Sequence, residues 1–219
     1  MTAFSLWLSI VLWMFQNPSS SVIPSGGTST TPQNIIYARD FTRPTLADFA
    51  WVNQGSASAT TDANGNIVLV GVSAATTYKI LKKAAPSTPY TIEAAMTIDC
   101  RPAEDCYSGL TWRAAGGKLH TIQYACQNAS NTRSVQTTKY NADLSYNAHY
   151  TTMWWAQQSF VVWFQIIDDG TNRTVKYSIT GDNWFTLGSP VARTDWDTMT
   201  EVGFMVDKGT TTLLHWRQF

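Results

Sequence analysis

The stretch from Phe160 to Leu187 most constrains the fold, because it carries two strand patterns joined by a tight turn. Phe160–Ile167 is a run rich in Val, Ile, Phe and Trp that is short enough for a strand and apolar enough to be buried on both faces. Asp168–Asn172 supplies the turn, since Asp-Gly tolerates the positive φ of a tight hairpin. Arg173–Ile179 then alternates, and three of its side chains are predicted to face the core: Val175, Tyr177 and Ile179. The pattern predicts an antiparallel meander.

Further strand patterns follow one another from Ile35 onward. The clearest is Tyr90–Asp99, where every second residue is apolar and Glu93 is predicted to lie on a solvated face. Other short strands are predicted at Ile67–Val70, Tyr78–Leu81, Tyr107–Arg113, Leu119–Cys126 and Arg133–Tyr140. No helical period appears beyond the N-terminal segment. The chain is therefore predicted to be all-β, a two-sheet antiparallel jelly-roll sandwich.

Several segments carry a family resemblance. They are the Phe160–Leu187 hairpin, the strand Val202-Gly203-Phe204, the final strand Leu214-His215-Trp216, and an earlier stretch from Phe49 to Ile92. Together they resemble the concanavalin A-like, laminin-G-like sandwich domains that also occur in phage tail-fibre and head structural proteins. The resemblance covers about residues 40 to 219 and implies a concanavalin A-like jelly roll. It implies little about activity, because a sandwich fold hosts many unrelated functions.

The N-terminal segment is apolar and uncharged. Residues 1–38 contain no Asp, Glu, Lys, Arg or His, and Ala3–Phe15 is almost wholly apolar. As a helix this run would span about 20 Å, short of the roughly 30 Å hydrocarbon core, which argues against a simple transmembrane span. A short helix that docks into an assembly is predicted, with six docking residues: Phe4, Trp7, Leu8, Val11, Leu12 and Phe15. A secretory signal peptide is the alternative, although the basic residues that open such peptides are missing.

These features predict three parts: an apolar anchoring segment at 1–16, a Ser/Thr/Gly/Pro tether at 17–34, and a lectin-like β-sandwich domain at 35–219. The net charge is +0, with 15 basic and 15 acidic residues, which argues against a nucleic-acid partner. The three cysteines match no zinc pattern. They are predicted to be buried reduced thiols, with a Cys100–Cys106 bridge as the alternative.

Catalytic signatures are weak. The three glutamates, Glu93, Glu104 and Glu201, form no alternating acidic motif of the kind that concanavalin A-like glucanases carry. Asp195 and Asp197 stand two apart, but their segment is predicted to be a loop that caps the next strand. His120 shares a face with apolar neighbours and is predicted to be a core residue. The chain is therefore predicted not to be an enzyme.

Two binding sites are candidates. The aromatic stretch from Tyr146 to Gln158 could hold a glycan, because aromatic rings stack on the apolar face of a sugar. Its candidate residues are Tyr146, His149, Trp154 and Trp155. Calcium is the commonest ion of laminin-G-like domains, and one loop offers three oxygen donors: Asp168, Asp169 and Asn172. A turn role is favoured for them, so no cofactor is predicted, with calcium as the alternative.

Taken together, the residues and the resemblance predict a non-enzymatic phage virion structural protein: a head decoration, fibre or tail-associated module exposed on the virion surface. Its partners would be other virion proteins and copies of itself, with host surface glycans as a possible ligand of the sandwich. One alternative is a secreted or surface-anchored carbohydrate-binding protein, whose apolar start is an export signal. The other is a glycan-cleaving enzyme that assembles its carboxylates from distant loops.

Overall fold

Strands dominate the computed structural model, which describes residues 41–71, 78–99, 105–127, 132–142, 145–154 and 161–219. These residues belong to one compact unit, Tyr37–Phe219. A 3-10 turn, Leu46–Asp48, is followed by the strands β1 (Ala50–Val52), β2 (Ser58–Thr61), β3 (Ile67–Val70), β4 (Lys79–Ala84), β5 (Tyr90–Asp99), β6 (Cys106–Ala114), β7 (Leu119–Gln127), β8 (Thr132–Ala142), β9 (Ser145–Trp154), β10 (Val162–Asp168), β11 (Asn172–Ser178), β12 (Phe185–Thr186), β13 (Val191–Ala192), β14 (Met199–Val206) and β15 (Thr210–Gln218).

The strands form two antiparallel sheets that pack as a sandwich. Sheet A has the order β1-β4-β14-β6-β7-β8-β9, and sheet B has the order β12-β11-β10-β5-β15-β3-β2, with β13 paired to β11. The last two long strands enter the sheet interiors, since β14 lies between β4 and β6 while β15 lies between β5 and β3. The predicted all-β, two-sheet antiparallel sandwich is confirmed. The predicted N-terminal helix lies outside the described residues.

The central hairpin follows the sequence prediction except at its end. Strand β10 is buried on both faces, with the adjacent Trp163 and Phe164 both fully buried. Strand β11 ends at Ser178, whose hydroxyl accepts the backbone N–H groups of Thr180 and Gly181 and so begins a turn. Ile179 was predicted to face the core and is 50% exposed instead. The prediction failed there because the side chain of Ser178 ends the ladder one residue early.

Apolar side chains from both sheets fill the space between them. Trp112 of β6 is fully buried, and its indole N–H donates to the hydroxyl of Tyr90 on β5 at 3.0 Å. This bond joins sheet A to sheet B, and burial raises the pKa of Tyr90 to about 12, so the hydroxyl stays neutral. Burying a side chain of this size contributes roughly 3 kcal/mol, so the inter-sheet core is the main source of stability.

The outer face of sheet B also carries a buried cluster. Phe41 stacks on Trp163 with ring centroids 5.6 Å apart, and Trp163 lies 5.2 Å from the ring of His215. Glu93 lies beneath them at 4% exposure, accepts a hydrogen bond from Gln165 at 3.2 Å, and lies 3.5 Å from His215 Nε2. The predicted solvated position of Glu93 is wrong. Alternation placed it on the outer face, but alternation cannot show that Phe41 covers that face.

The cysteines of the described chain are reduced. Cys106 and Cys126 are directly opposite each other in the β6–β7 register, and neither is in a disulfide. Cys106 Sγ donates to the carbonyl oxygen of Lys208 at 2.9 Å. The alternative bridge from Cys106 to Cys100 is therefore not formed, and Cys100 itself lies outside the described residues.

Among the residues described, none belongs to a helix of the length and apolarity that a membrane crossing would require.

Candidate functional site

The outer face of sheet A has an apolar centre. Strand alternation turns Ile80, Leu119 and Met205 away from the inter-sheet core, yet all three are fully buried, together with Tyr78 and Tyr140. The rings of Tyr78 and Tyr140 pack edge to face, with centroids 5.1 Å apart. Sheet A is thus apolar on both faces at its middle. Such a surface provides a rigid base on which a binding site can form.

A pocket of about 250 Å³ lies on this face. Strands β6 to β9 and the residue before β4 supply its lining side chains: Tyr78, Tyr107, Gln127, Gln136, Tyr140, Tyr146 and His149. The volume is below the roughly 300–1,000 Å³ typical of sites that enclose a drug-sized molecule, so it suits a small group such as one ring. Among the described lining residues there are four phenols, two amides and an imidazole, and none is an acid, a lysine or an arginine.

Hydrogen bonds hold the floor of the pocket. The hydroxyl oxygens of Tyr78 and Tyr140 are 2.7 Å apart, and Gln123 Nε2 donates to the Tyr140 hydroxyl at 2.9 Å. Thr121 in turn donates to Gln123 Oε1 at 3.1 Å. Burial raises the pKa of both Tyr78 and Tyr140, so these hydroxyls remain protonated near neutral pH. The floor is therefore polar but uncharged.

Tyr146 and His149 form the exposed rim. Tyr146 is 55% exposed, and its ring lies 5.1 Å from that of His149. His149 Nδ1 is 2.8 Å from the hydroxyl oxygen of Thr138, which fixes the ring orientation. Partial burial lowers the pKa of His149 below its ordinary value, so this imidazole is neutral near pH 7. The rim thus presents one aromatic face and one neutral hydrogen-bonding ring to solvent.

Carboxylates influence the lining of the pocket at Tyr107. Burial raises the pKa of Tyr107, and the negative charges of Asp105 and Asp207 raise it further. Farther along the same face, Glu201 pairs with Lys82 and with Arg113, the latter at 2.7 Å. Glu201 is thus an ion-paired carboxylate, while Asp105 and Asp207 add negative charge close to Tyr107. The potential at the pocket is therefore neutral to slightly negative, which disfavours an anionic ligand.

Two of the four predicted glycan residues lie in this pocket. Tyr146 and His149 share its rim, whereas Trp154 is the last residue of β9 and Trp155 lies outside the described residues. Tyr78, Tyr107 and Tyr140 were not predicted as site residues, although each lay in a predicted strand. Their positions in separate strands gave no local motif.

The predicted docking residues lie outside the described residues, so their role stays a prediction. They are Phe4, Trp7, Leu8, Val11, Leu12 and Phe15.

The predicted calcium loop forms a hairpin turn. Asp168 is 1% exposed and lies 2.9 Å from Arg193 Nε and 3.5 Å from Arg173 Nε. The exposed Asp169 accepts the backbone N–H groups of Thr171 and Asn172, at 2.7 Å and 2.6 Å. In the described part of the chain no group of three His, Cys, Asp or Glu residues converges as metal ligands. The loop oxygens are satisfied by cations and N–H groups, an arrangement that favours the turn role.

The two predicted loop carboxylates, Asp195 and Asp197, have basic partners. Asp195 pairs with Lys139 and Asp197 with Lys118, both at 3.4 Å, in the turn that follows β13. The indole N–H of Trp196 between them donates to the carbonyl oxygens of Leu119 and Tyr140. This geometry is that of the predicted capping loop. Glycoside hydrolysis needs two carboxyl groups about 5 to 9.5 Å apart across one cleft. Within the described lining of the pocket there is not one carboxylate.

Comparison with known proteins gives likeness in fold. No family model matches the chain, and no curated protein is similar to it in sequence. A GH43 glycoside hydrolase with endo-xylanase and exo-arabinofuranosidase activity has a TM-score of 0.63 at 14% identity, over 89% of this chain and 43% of that one. A functionally unknown protein from Saccharomyces cerevisiae has a TM-score of 0.62 at 13% identity, over 80% and 98%.

A third similar structure is the carbohydrate-binding module CBM66 from Bacillus subtilis. Its TM-score is 0.50 at 9% identity, over 78% of this chain and 94% of that one. The chain thus spans less than half of the hydrolase but almost all of the module. At these identities the likeness shows the fold, a sandwich of the concanavalin A-like type.

The predicted function is corrected by these comparisons. A non-enzymatic phage virion protein was predicted, but the similar structures are GH43 glycoside hydrolases and a carbohydrate-binding module. The error arose because a resemblance shared by many sandwich domains was taken as a sign of one biological setting. The sandwich itself was identified correctly.

Proposed function

We propose that this protein is a carbohydrate-binding protein and that the pocket on the outer face of sheet A binds an uncharged sugar. The lining of the pocket carries the proposal. Exposed Tyr146 offers a ring face for stacking on a pyranose, while the amides of Gln127 and Gln136 and the neutral ring of His149 offer hydrogen bonds. A neutral lining matches a ligand whose polar groups are hydroxyls.

The similar structures support a carbohydrate ligand. One is a carbohydrate-binding module, and the match covers 94% of that module. Another is a xylan β-1,4-xylosidase from Bacillus halodurans C-125, and the match covers 32% of that enzyme. The match to nearly the whole of a binding module, and to a minor part of an enzyme, favours binding over hydrolysis. Xylan, xyloglucan and arabinan are therefore suitable first probes.

Isothermal titration calorimetry of the full chain with soluble xylan, xyloglucan and arabinan oligosaccharides tests the proposal. We expect saturable binding of at least one oligosaccharide, and a marked loss of that binding when Tyr146 is replaced by alanine. If the chain binds none of the three in calorimetry, and none of the polysaccharides retards it in affinity electrophoresis, the proposal is wrong.

Glycan cleavage is the second candidate, because several of the similar structures are described as glycoside hydrolases. Four of the described carboxylates give it little support, since Asp168, Asp195, Asp197 and Glu201 pair with basic side chains and none of them lines the pocket. Incubation of the chain with the same polysaccharides, followed by an assay for new reducing ends, separates the two functions. A binding protein releases none, whereas steady release would assign an enzyme.

A further inference from the structure

A chain of buried hydrogen bonds ends at the floor of the pocket. It runs from Thr121 to Gln123 at 3.1 Å, from Gln123 to the hydroxyl of Tyr140 at 2.9 Å, and from there to the hydroxyl of Tyr78 at 2.7 Å. Thr121 and Gln123 are fully buried, and Tyr78 and Tyr140 are 2% and 4% exposed. Water therefore does not compete for the hydrogen bonds between these four side chains.

The donor and acceptor of each link in this hydrogen-bond chain can be assigned. The Thr121 hydroxyl faces two acceptors, Gln123 Oε1 and the carbonyl oxygen of Thr138 at 3.3 Å, and therefore donates. With its oxygen facing Thr121, the Gln123 amide turns its NH₂ group toward Tyr140. The Tyr140 hydroxyl accepts that bond, and its own hydrogen has a nearer acceptor in Tyr78, at 2.7 Å, than in Gln123 Oε1, at 3.4 Å.

Placing this hydrogen-bond chain in the protein interior costs free energy. The surrounding outer face of sheet A buries Ile80, Leu119 and Met205 completely, so apolar residues fit there. Burying hydroxyls and an amide among them costs free energy unless every group is bonded. An apolar residue at 121 or 123 would avoid that cost. The residues present instead fix the orientation of one hydroxyl at the pocket floor.

We propose that Tyr78 donates a hydrogen bond to an acceptor oxygen of the bound sugar, and that Gln123 and Tyr140 are positioning residues that keep its hydrogen directed into the pocket. Because Tyr140 donates to Tyr78, the hydrogen of Tyr78 is left for the ligand. The ligand then presents a hydroxyl, ring or carbonyl oxygen at this point. This inference rests on the proposed carbohydrate-binding function and adds the group that selects the ligand.

The first test replaces single hydroxyls. Tyr78→Phe keeps the ring and removes the donor. Tyr177→Phe is the matched control, because it also removes one phenol hydroxyl and keeps the ring, but it lies on β11 of sheet B, outside the lining of the pocket. With the tightest-binding xylan or xyloglucan oligosaccharide as probe, we expect Tyr78→Phe to weaken binding about threefold to tenfold, the value of one net hydrogen bond. Tyr177→Phe should bind within about twofold of the wild type.

The second test reverses the direction of the hydrogen bond between Tyr140 and Tyr78. In Gln123→Glu the protonated acid accepts from Thr121 and donates to Tyr140, as the amide does, whereas the ionised carboxylate only accepts and draws the Tyr140 hydrogen to itself. Tyr78 must then donate to Tyr140 and is lost to the ligand. Burial raises the pKa of a carboxyl group, so the change should fall within pH 5 to 8. We expect near wild-type affinity at the acid end and a threefold to tenfold loss at the alkaline end.

The outcomes are distinct. Wild-type affinity in Tyr78→Phe would overturn the inference while leaving carbohydrate binding in place. A loss in Gln123→Glu that is the same at every pH would assign Gln123 a merely structural role and would also overturn it. Failure of the wild-type chain to bind any probe would remove both the inference and the proposed function. Loss in Tyr78→Phe together with pH-dependent binding in Gln123→Glu supports it.

Discussion

Tyr146 and His149 share one face of β9, with ring centroids 5.1 Å apart, although their positions differ by three residues. In a regular strand an odd separation places two side chains on opposite faces. The β8–β9 pairing is irregular here, since Tyr146 is opposite Tyr140 and His149 is opposite Thr138, so three steps on β9 match two on β8. The extra residue is a β-bulge, and it brings both rings to the same pocket.

Tyr146→Ala should weaken sugar binding about tenfold, because it removes the exposed ring face against which a pyranose would stack. Phe185→Ala is the matched control. Phe185 is 52% exposed, close to the 55% of Tyr146, but lies on strand β12 of sheet B. Calorimetry with xylan and xyloglucan oligosaccharides gives the comparison. Equal losses in the two variants would show that exposed aromatic residues act nonspecifically.

Uncharged polysaccharides should bind in preference to acidic ones. The described pocket lining lacks charged side chains, and the negative charges of Asp105 and Asp207 act on Tyr107, one of its lining residues. Binding of xyloglucan should therefore change less than about twofold between 0.05 and 0.5 M salt, since screening acts only on charge pairs. Polygalacturonate should not retard the chain in affinity electrophoresis. Tighter binding of polygalacturonate than of xyloglucan would contradict this prediction.

The sequence predicted the sheets far better than the site. Alternation in Tyr90–Asp99 and the apolar run before the Asp168 turn each depend on neighbours in sequence, and both strands formed as predicted. The pocket depends on partners that are distant in sequence, since Tyr78 and Tyr140 are 62 positions apart. Glu93 shows the same limit, because its burial depends on Phe41. Strand patterns are local, whereas what covers a sheet face is decided by the fold.

Asp168→Asn should destabilise the fold by about 3 kcal/mol. The change removes the charge that compensates Arg173, which is 2% exposed, and leaves that guanidinium buried without its ion pair. Asp169→Asn is the control, because Asp169 is exposed and an amide oxygen can still accept the turn N–H groups. Urea unfolding measures both variants. A small effect of Asp168→Asn would mean that the Asp168–Arg173 pair contributes little net stability.

Calcium should not stabilise the protein. A ligand that binds only the folded state raises the melting temperature with its concentration. The oxygens of Asp168 face Arg193 and Arg173, and Oδ1 of Asp169 accepts two backbone N–H groups. Thermal unfolding in EDTA and in millimolar calcium chloride should therefore coincide. A rise that saturates with calcium, and that Asp169→Asn abolishes, would establish the alternative prediction of a calcium loop.

Acid should destabilise the fold partly through His120. Its buried ring lies between Trp112 and Tyr150, with centroids 4.9 Å and 4.8 Å away, and burial lowers its pKa from 6.5 to about 3. Below pH 6.5 the unfolded chain binds a proton that the folded chain refuses until about pH 3, so the free energy of unfolding falls as the pH decreases across that window.

The expected slope is at most about 1.4 kcal/mol per pH unit from this residue. Urea unfolding at pH 7.5 and pH 4.5 measures it, and the loss of stability between the two should be smaller in His120→Gln than in the wild type. His149→Gln is the control, because that ring is exposed and its protonation should cost less than that of the fully buried His120. If His120→Gln and the wild type lose the same free energy between the two pH values, protonation of His120 does not drive acid unfolding, and the carboxylates held by basic partners, such as Glu201, would account for it.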